Sequence, residues 1–211
     1  MLQQLAFDGS GIDGGLFTTI TGLARDTKWL NTPVHLWTNA GLVVFAVLMV
    51  IGFLRARHRD TATMTLALAA PVAVAGAFAV AEVAKKLVAE VRPCYSMPHA
   101  YIVEACPVRT DYAFPSGHTT TAVATVAALW LLDRRLAGIA ALFALLEGFT
   151  RVYLGAHYPH DVLGAAVLAL PVAYLVSRLL GRYAQPVVAR LRTGALEPLL
   201  TRRRPGAHAA R

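Results

Sequence analysis

The sequence predicts an all-α membrane protein, a polytopic bundle of about five transmembrane helices with an amphipathic helix lying in the interface at its amino end. Three observations predict it. Of the 211 residues, 56% are hydrophobic and 15% charged, against about 25% charged in soluble domains. The mean hydropathy is +0.53. The apolar residues are gathered into runs, several of them long enough to cross a hydrocarbon core of ~30 Å.

The first segment is too short in apolar sequence to span. Leu16, Phe17, Ile20, Leu23 and Ala24 recur at helical spacing, and Arg25, Asp26 and Lys28 close it. That pattern reads as an amphipathic helix in the interface, or as an ordinary helix packed on the bundle. The opening MLQQLAFDGSG reads as having no basic n-region and no apolar h-region of a cleaved signal peptide.

Val34–Leu54 is the first candidate span, followed by Arg55, Arg57 and Arg59. Thr61–Ala84 is the second, with Pro71 as a potential kink, and it runs into Lys85, Lys86 and Arg92-Pro93. A polar connection over residues 93–115 carries both cysteines, Cys94 and Cys106. Ser116–Leu132 is the third span, Leu136–Thr150 the fourth and Val162–Val176 the fifth. Residues 1–185 thus form one membrane-embedded domain, and 186–211 read as a mobile basic tail.

Charge distribution sets the orientation. The formal net charge of +8 could point to nucleic acid, but no aromatic-basic surface motif accompanies it. Instead the arginines flank apolar runs, as cytoplasmic loops facing anionic lipid headgroups do. Arg55, Arg57, Arg59, Arg134, Arg135 and the tail fall on one side, which the positive-inside rule makes cytoplasmic. Both the amino terminus and the 93–115 connection are then outside, and the carboxyl terminus is inside.

Three motifs land on the outer side. Lys85 and Arg92 are seven residues apart, nearly two helical turns, so both cations share a face at the membrane exit. They suit a phosphate, or are snorkelling residues at a helix end. Phe114-Pro115-Ser116-Gly117-His118 directly precedes an apolar run. Ser116 is placed to cap the next helix, whose free N–H groups make an anion site. Gly117 leaves room for a ligand, and His118 can protonate a leaving oxygen; a plain Ser-Gly cap is the alternative. The third motif is Arg151, His157 and Asp161 within FTRVYLGAHYPHDVLG. Asp161, in a first turn that Pro159 helps begin, can take the Nδ1 proton of His157 and leave Nε2 as a nucleophile. Glu147, one turn before Arg151, is expected to orient it by an i,i+4 ion pair. His160 and His35 read as structural histidines.

Taken together, Lys85-x6-Arg92-Pro93, Pro115-Ser116-Gly117-His118 and Arg151-x5-His157-x3-Asp161 resemble the tripartite signature of the type 2 phosphatidic acid phosphatase superfamily. Thr150 stands where that family usually has serine, which keeps the hydroxyl. The resemblance implies a phosphohydrolase with no metal and no cofactor. In it His157 is the nucleophile, Asp161 orients it and His118 is the acid and then the base. Lys85, Arg92, Ser116, Gly117 and Arg151 hold the phosphoryl oxygens. The stretches DGGLFTTITGLA and FTRVYLGAHYPHDVLGA are most similar to bacterial undecaprenyl-diphosphatases. That implies a polyprenyl diphosphate substrate at the outer face of the inner (plasma) membrane.

Phosphatidate and phosphatidylglycerophosphate stay open as substrates, and a non-catalytic lipid-binding protein of the same fold as a second class. His157, Asp161 and His118 are all present, which favours the enzyme. The soluble vanadate-dependent haloperoxidases share the anion pocket, but five apolar spans leave no room for their fold. The expected partners are therefore a lipid phosphate or diphosphate and anionic lipids at the cytoplasmic face, with no nucleic acid; oligomeric state is left open. Two cysteines in one external connection also predict a Cys94–Cys106 disulfide, with two free thiols as the alternative.

Overall fold

The computed structural model describes residues 7–201. Among them, ten helices are joined by short connections: α1 (Ser10–Asp26), α2 (Lys28–Ala40), α3 (Leu42–Ala56), α4 (Thr61–Val88), α5 (Pro93–Ser96), α6 (Gly117–Leu132), α7 (Arg134–Tyr153), α8 (Pro159–Tyr183), α9 (Gln185–Thr193) and α10 (Glu197–Leu200). The β-type pairing among these residues is one isolated parallel bridge, Phe7 to Glu90.

The centre is built on alanine. Ala70, Ala73 and Ala77 of α4 meet Ala124, Ala127 and Ala128 of α6 and Ala169 and Ala173 of α8. Small side chains let three backbones approach closely, which matters where lipid removes most of the hydrophobic drive for helices to associate. On the far side of α6, Leu129 packs with Phe45 and Leu48 of α3 and with Leu136, Ala137 and Ala140 of α7. Leu142, Leu145, Leu163 and Val167 point outward and are exposed, a bare apolar face suited to hydrocarbon.

Of the five expected spans, three are present among the described residues as single helices with revised ends, and a fourth only as a bent pair. α4, α7 and α8 are each long and apolar enough to cross a membrane. α7 runs on to Tyr153, and α8 reaches from Pro159 to Tyr183. The first span is not the unbroken Val34–Leu54 helix expected: α2 and α3 meet at Gly41 with a 42° bend and qualify only as a pair. A Cβ on Gly41 would come within 2.7 Å of the Trp37 carbonyl and 3.2 Å of Glu147 Oε2. α6 has 16 residues, about 24 Å at 1.5 Å per residue, so it is shorter than a full crossing.

At the amino end, α1 is amphipathic as predicted and also packs on the bundle. Phe17 lies 5.2 Å from the Tyr158 ring, and Ala24 packs with Tyr153 and Leu154, while Leu16 and Leu23 stay exposed. At the other end, the mobile tail expected from residue 186 is replaced over the described residues by α9 and α10, which fold back. Val188 and Leu200 pack on Ala56, Met64 and Ala67. Arg57 donates to the Pro198 carbonyl at 2.7 Å and Arg192 to the Arg59 carbonyl at 2.9 Å. The Arg202–Arg204 cluster lies outside the described residues.

The 93–115 connection is pinned at several points. Cys94 and Cys106 are disulfide-bonded, with Cα atoms 6.0 Å apart. The Val103 and Glu104 N–H groups both donate to the Leu154 carbonyl at 3.0 Å. Ala113 N–H donates to the Glu90 carbonyl at 2.8 Å, and the Arg109 guanidinium sits 4.3 Å over the Tyr95 ring. The connection is thereby held across the end of α4 and the α7–α8 turn.

Candidate active site

His157 stands in the turn between α7 and α8. That turn needs Gly155, whose φ of +79° is left-handed and whose Cβ would meet Ile102 at 3.0 Å. The Ala156 and His157 N–H groups then donate back to the Arg151 carbonyl, at 3.0 and 3.3 Å. Pro159 opens α8, and Asp161 in its first turn accepts the Tyr158 N–H on Oδ2 at 2.8 Å. The same Oδ2 lies 3.3 Å from His157 Nδ1. His157 and Asp161 are both buried.

On the other side of the ring, Arg92 Nη1 lies 3.0 Å from His157 Nε2 and donates to the Ala156 carbonyl at 3.1 Å. A guanidinium has donors only, so Nε2 must be the acceptor. The ring proton is therefore on Nδ1, facing Asp161, and the Nε2 lone pair is free of a proton. Burial, and then the charges of Arg92, Arg151 and Lys85, push the His157 pKa well below its ordinary 6.5. Both the hydrogen bonding and the lowered pKa favour the neutral imidazole.

His157 lines a cavity of about 430 Å³ together with Lys85, Arg92, Gly117, His118 and Arg151. The structure therefore gathers residues from α4, the connection after it, α6, α7 and the α7–α8 turn. Gly117 and His118 occupy the first turn of α6, where backbone N–H groups have no partner within the helix. Ser116 is at the capping position but does not cap. Its Oγ accepts from Thr119 Oγ1 at 3.1 Å, and its N–H donates to the Asp161 carbonyl at 3.2 Å. It braces α6 against α8 without lining the cavity. Leu42, Phe78 and Ile102 supply an apolar wall.

The expected Glu147–Arg151 pair does not form. Arg151 instead makes a two-point ion pair with Glu104, at 3.0 and 3.3 Å, and neither buried oxygen of Glu147 has a hydrogen-bond partner. Helical spacing brings Glu147 near, but the 93–115 connection delivers Glu104 with a matching fork. Asp111, from the same connection, lies 3.0 Å from Arg92 and 3.8 Å from Lys85, and Glu82 lies 3.0 Å from Lys85. Three carboxylates thus pair with the three cations. Sequence reasoning missed them, although a basic cluster without counter-charges should have raised the question. His160, read as structural, bonds to Asp13 and Glu90, and His35 meets the Asn39 side chain at 3.3 Å.

Chemically, the arrangement is a proton-free imidazole nitrogen in a cavity lined by three cations and their carboxylate partners, with a second histidine on its wall. The model of the PAP2 superfamily matches residues 65–184 of the chain. An undecaprenyl-diphosphatase of Bacillus subtilis, BcrC, is 42% identical over 72 residues, which are 34% of this chain and 37% of that protein. An undecaprenyl-diphosphatase of Sulfolobus acidocaldarius is 32% identical over 100 residues, 47% of this chain and 48% of that one. The chain thus matches less than half the length of either relative. Among solved structures, Aquifex aeolicus LpxE aligns with a TM-score of 0.66 at 20% identity, covering 82% of this chain and 99% of that one, a likeness of fold.

Proposed function

Because the chain belongs to the PAP2 superfamily, a family of multi-pass membrane proteins, we propose that it is a lipid phosphatase working through a phospho-histidine at His157. Its substrate in this reading is a polyprenyl diphosphate of the undecaprenyl kind. The observation that carries the reading is the acceptor-only Nε2 of His157, directed into a cavity that also holds Lys85, Arg92, Arg151 and His118.

The substrate phosphate displaces Asp111 and Glu104 from the three cations. Gly117 and His118 N–H groups take further oxygens. The Nε2 lone pair attacks the terminal phosphorus as the phosphorus–oxygen bond to the leaving group breaks. Burial, then the charges of Arg151, Arg92 and Lys85, hold His118 down at about 4 in the free site. The substrate's anion neutralises those cations and adds its own negative charge, which raises His118 so that it gives the leaving oxygen its proton. Asp161 stabilises the charge that forms on His157 through Nδ1–H. A water then loses its proton to His118 and attacks the phosphorus, which releases phosphate and restores His157. For the attack Arg92 turns its Nη1 from Nε2 to a phosphoryl oxygen, which frees the lone pair, and Lys85 and Arg151 already border the cavity to meet the transition-state charge.

The two undecaprenyl-diphosphatase relatives support the substrate, as does the apolar wall of Leu42, Phe78 and Ile102. The outer face is supported by charge: Arg55, Arg57, Arg59, Arg134 and Arg135 gather about 36 Å along α4 from Lys85. The test is phosphate release from a panel of lipid phosphates and diphosphates in detergent with EDTA present. Undecaprenyl diphosphate should be turned over fastest, with full rate in EDTA. Preference for phosphatidate or phosphatidylglycerophosphate would move the substrate assignment and leave the phosphatase. No release from any lipid would reject the phosphatase.

A further inference from the structure

Behind the cavity, facing away from the substrate, Asp161 meets a second set of charged groups that the mechanism above does not use. His160 Nδ1 lies 2.8 Å from Asp13 Oδ1, and His160 Nε2 lies 2.8 Å from Glu90 Oε1. A ring nitrogen facing a carboxylate carries a proton, so His160 is an imidazolium with Asp13 as its counter-ion. Glu90 Oε2 and Asp161 Oδ1 are the remaining oxygens. Both are buried, and neither has a donor. The two carboxyl groups are within hydrogen-bonding reach of each other. One oxygen from each and a His160 nitrogen all lie within 4.8 Å of one another.

Two carboxylates cannot both ionise at such an approach in a dry site. Either a proton or a cation must lie between them. A cation there would gain no lone pair from His160, whose protonated Nε2 bonds Glu90, lies 3.6 Å from Asp161 Oδ1 and would repel it. A proton needs only the two oxygens that lack a partner. Glu90 is also held firmly. It follows the left-handed Ala89 that ends α4, with φ of +52°, its carbonyl accepts from Ala113, and its side chain packs so closely on Gly9 that any Cβ there would collide.

We propose that Glu90 is a positioning residue for the reaction: it holds a proton against Asp161 Oδ1 and so keeps Oδ2 directed at Tyr158 N–H and His157 Nδ1. The chain of contacts runs Asp13, His160, Glu90, Asp161, His157, and it carries one net negative charge to the nucleophile. Burial raises the Glu90 carboxyl above its ordinary 4.5, with Asp13 adding to the rise, against the lowering influence of His160 and of the hydrogen bond with Asp161, so the proton is shared between the two carboxyls.

This inference rests on His157 and Asp161 acting as proposed above, and its test separates the two. Purified full-length wild-type protein, Glu90→Gln and Glu90→Leu are compared on undecaprenyl diphosphate, with and without EDTA, and by infrared spectroscopy at neutral pH. Glutamine keeps a donor for Asp161 and an acceptor for His160, so Glu90→Gln should run near the wild-type rate and lose the alkaline limb that Glu90 ionisation imposes. Leucine leaves Asp161 Oδ1 bare and Oδ2 free to swing, so Glu90→Leu should lose about 10²-fold in kcat with KM little changed. The wild-type minus Glu90→Gln difference spectrum should show the carbonyl band of one protonated acid, any band from buried Glu147 cancelling. If the wild type released no phosphate the functional reading would fail, and the infrared band would still decide the state of Glu90. Loss of activity in Glu90→Gln equal to that in Glu90→Leu, sensitivity of the wild type to EDTA, or an unchanged infrared spectrum would each overturn the shared proton.

Discussion

At the scale of single residues, the proposed chemistry comes down to which groups hold protons. His157→Ala should abolish turnover in a folded protein, because no neighbour can replace a covalent nucleophile. A near-normal rate in that variant would reject the phospho-histidine. His118→Ala should cost about 10²–10⁴-fold, most with poor leaving groups, the range expected for general acid help. Burial and three cations lower the His157 pKa, and the neutral ring is the reactive form. Activity should therefore be retained well below pH 6.5 and fall only as the pH drops through the lowered value. A kcat/KM profile whose acid limb assigned to His157 lies at or above 6.5 would contradict the buried, cation-flanked geometry. Arg151 shows where residue-level reading fails. Spacing along one helix pointed to Glu147, but the partner is Glu104, 47 residues away along the chain.

At the scale of elements, the 93–115 connection is a structural part of the site. It brings Asp111 to Arg92 and Glu104 to Arg151, and it is fixed by the Cys94–Cys106 bond. Closing a loop of this length stabilises by roughly 3 kcal/mol in the chain-entropy model. Cys94→Ser with Cys106→Ser should lower the melting temperature and raise KM more than it lowers kcat, since no cysteine touches the reacting atoms. A thiol count on non-reduced protein checks the bond itself, and two free thiols in protein from an oxidising compartment would reject it. The first span shows the opposite lesson. Its apolar composition was legible, but its bend was not, because Gly41 marks a close approach only when Trp37 and Glu147 are seen beside it.

For the whole molecule, the prediction is a topology. A cysteine placed at Arg109 should react with an impermeant thiol reagent on intact cells, and one at Arg134 should not, in a background lacking Cys94 and Cys106. The reverse pattern would put the cavity on the cytoplasmic side and remove the basis for an outer-face substrate. The folded-back α9 and α10 belong to the same end as Arg134, so this end is more ordered than its basic composition implied.

The sequence by itself determined the class, where the apolar runs lie and the cluster of groups proposed for the chemistry. Those features are written locally, in hydropathy, in charge beside each run and in short motifs at fixed spacing. Tertiary structure decided which group each of those residues faces: Glu104 on Arg151, Asp111 on Arg92, Ser116 turned to α8, and Glu90 against Asp161. Such pairings join residues far apart in the chain, and a buried charge takes whichever counter-charge the packing of helices and loop delivers to it, which no local pattern encodes.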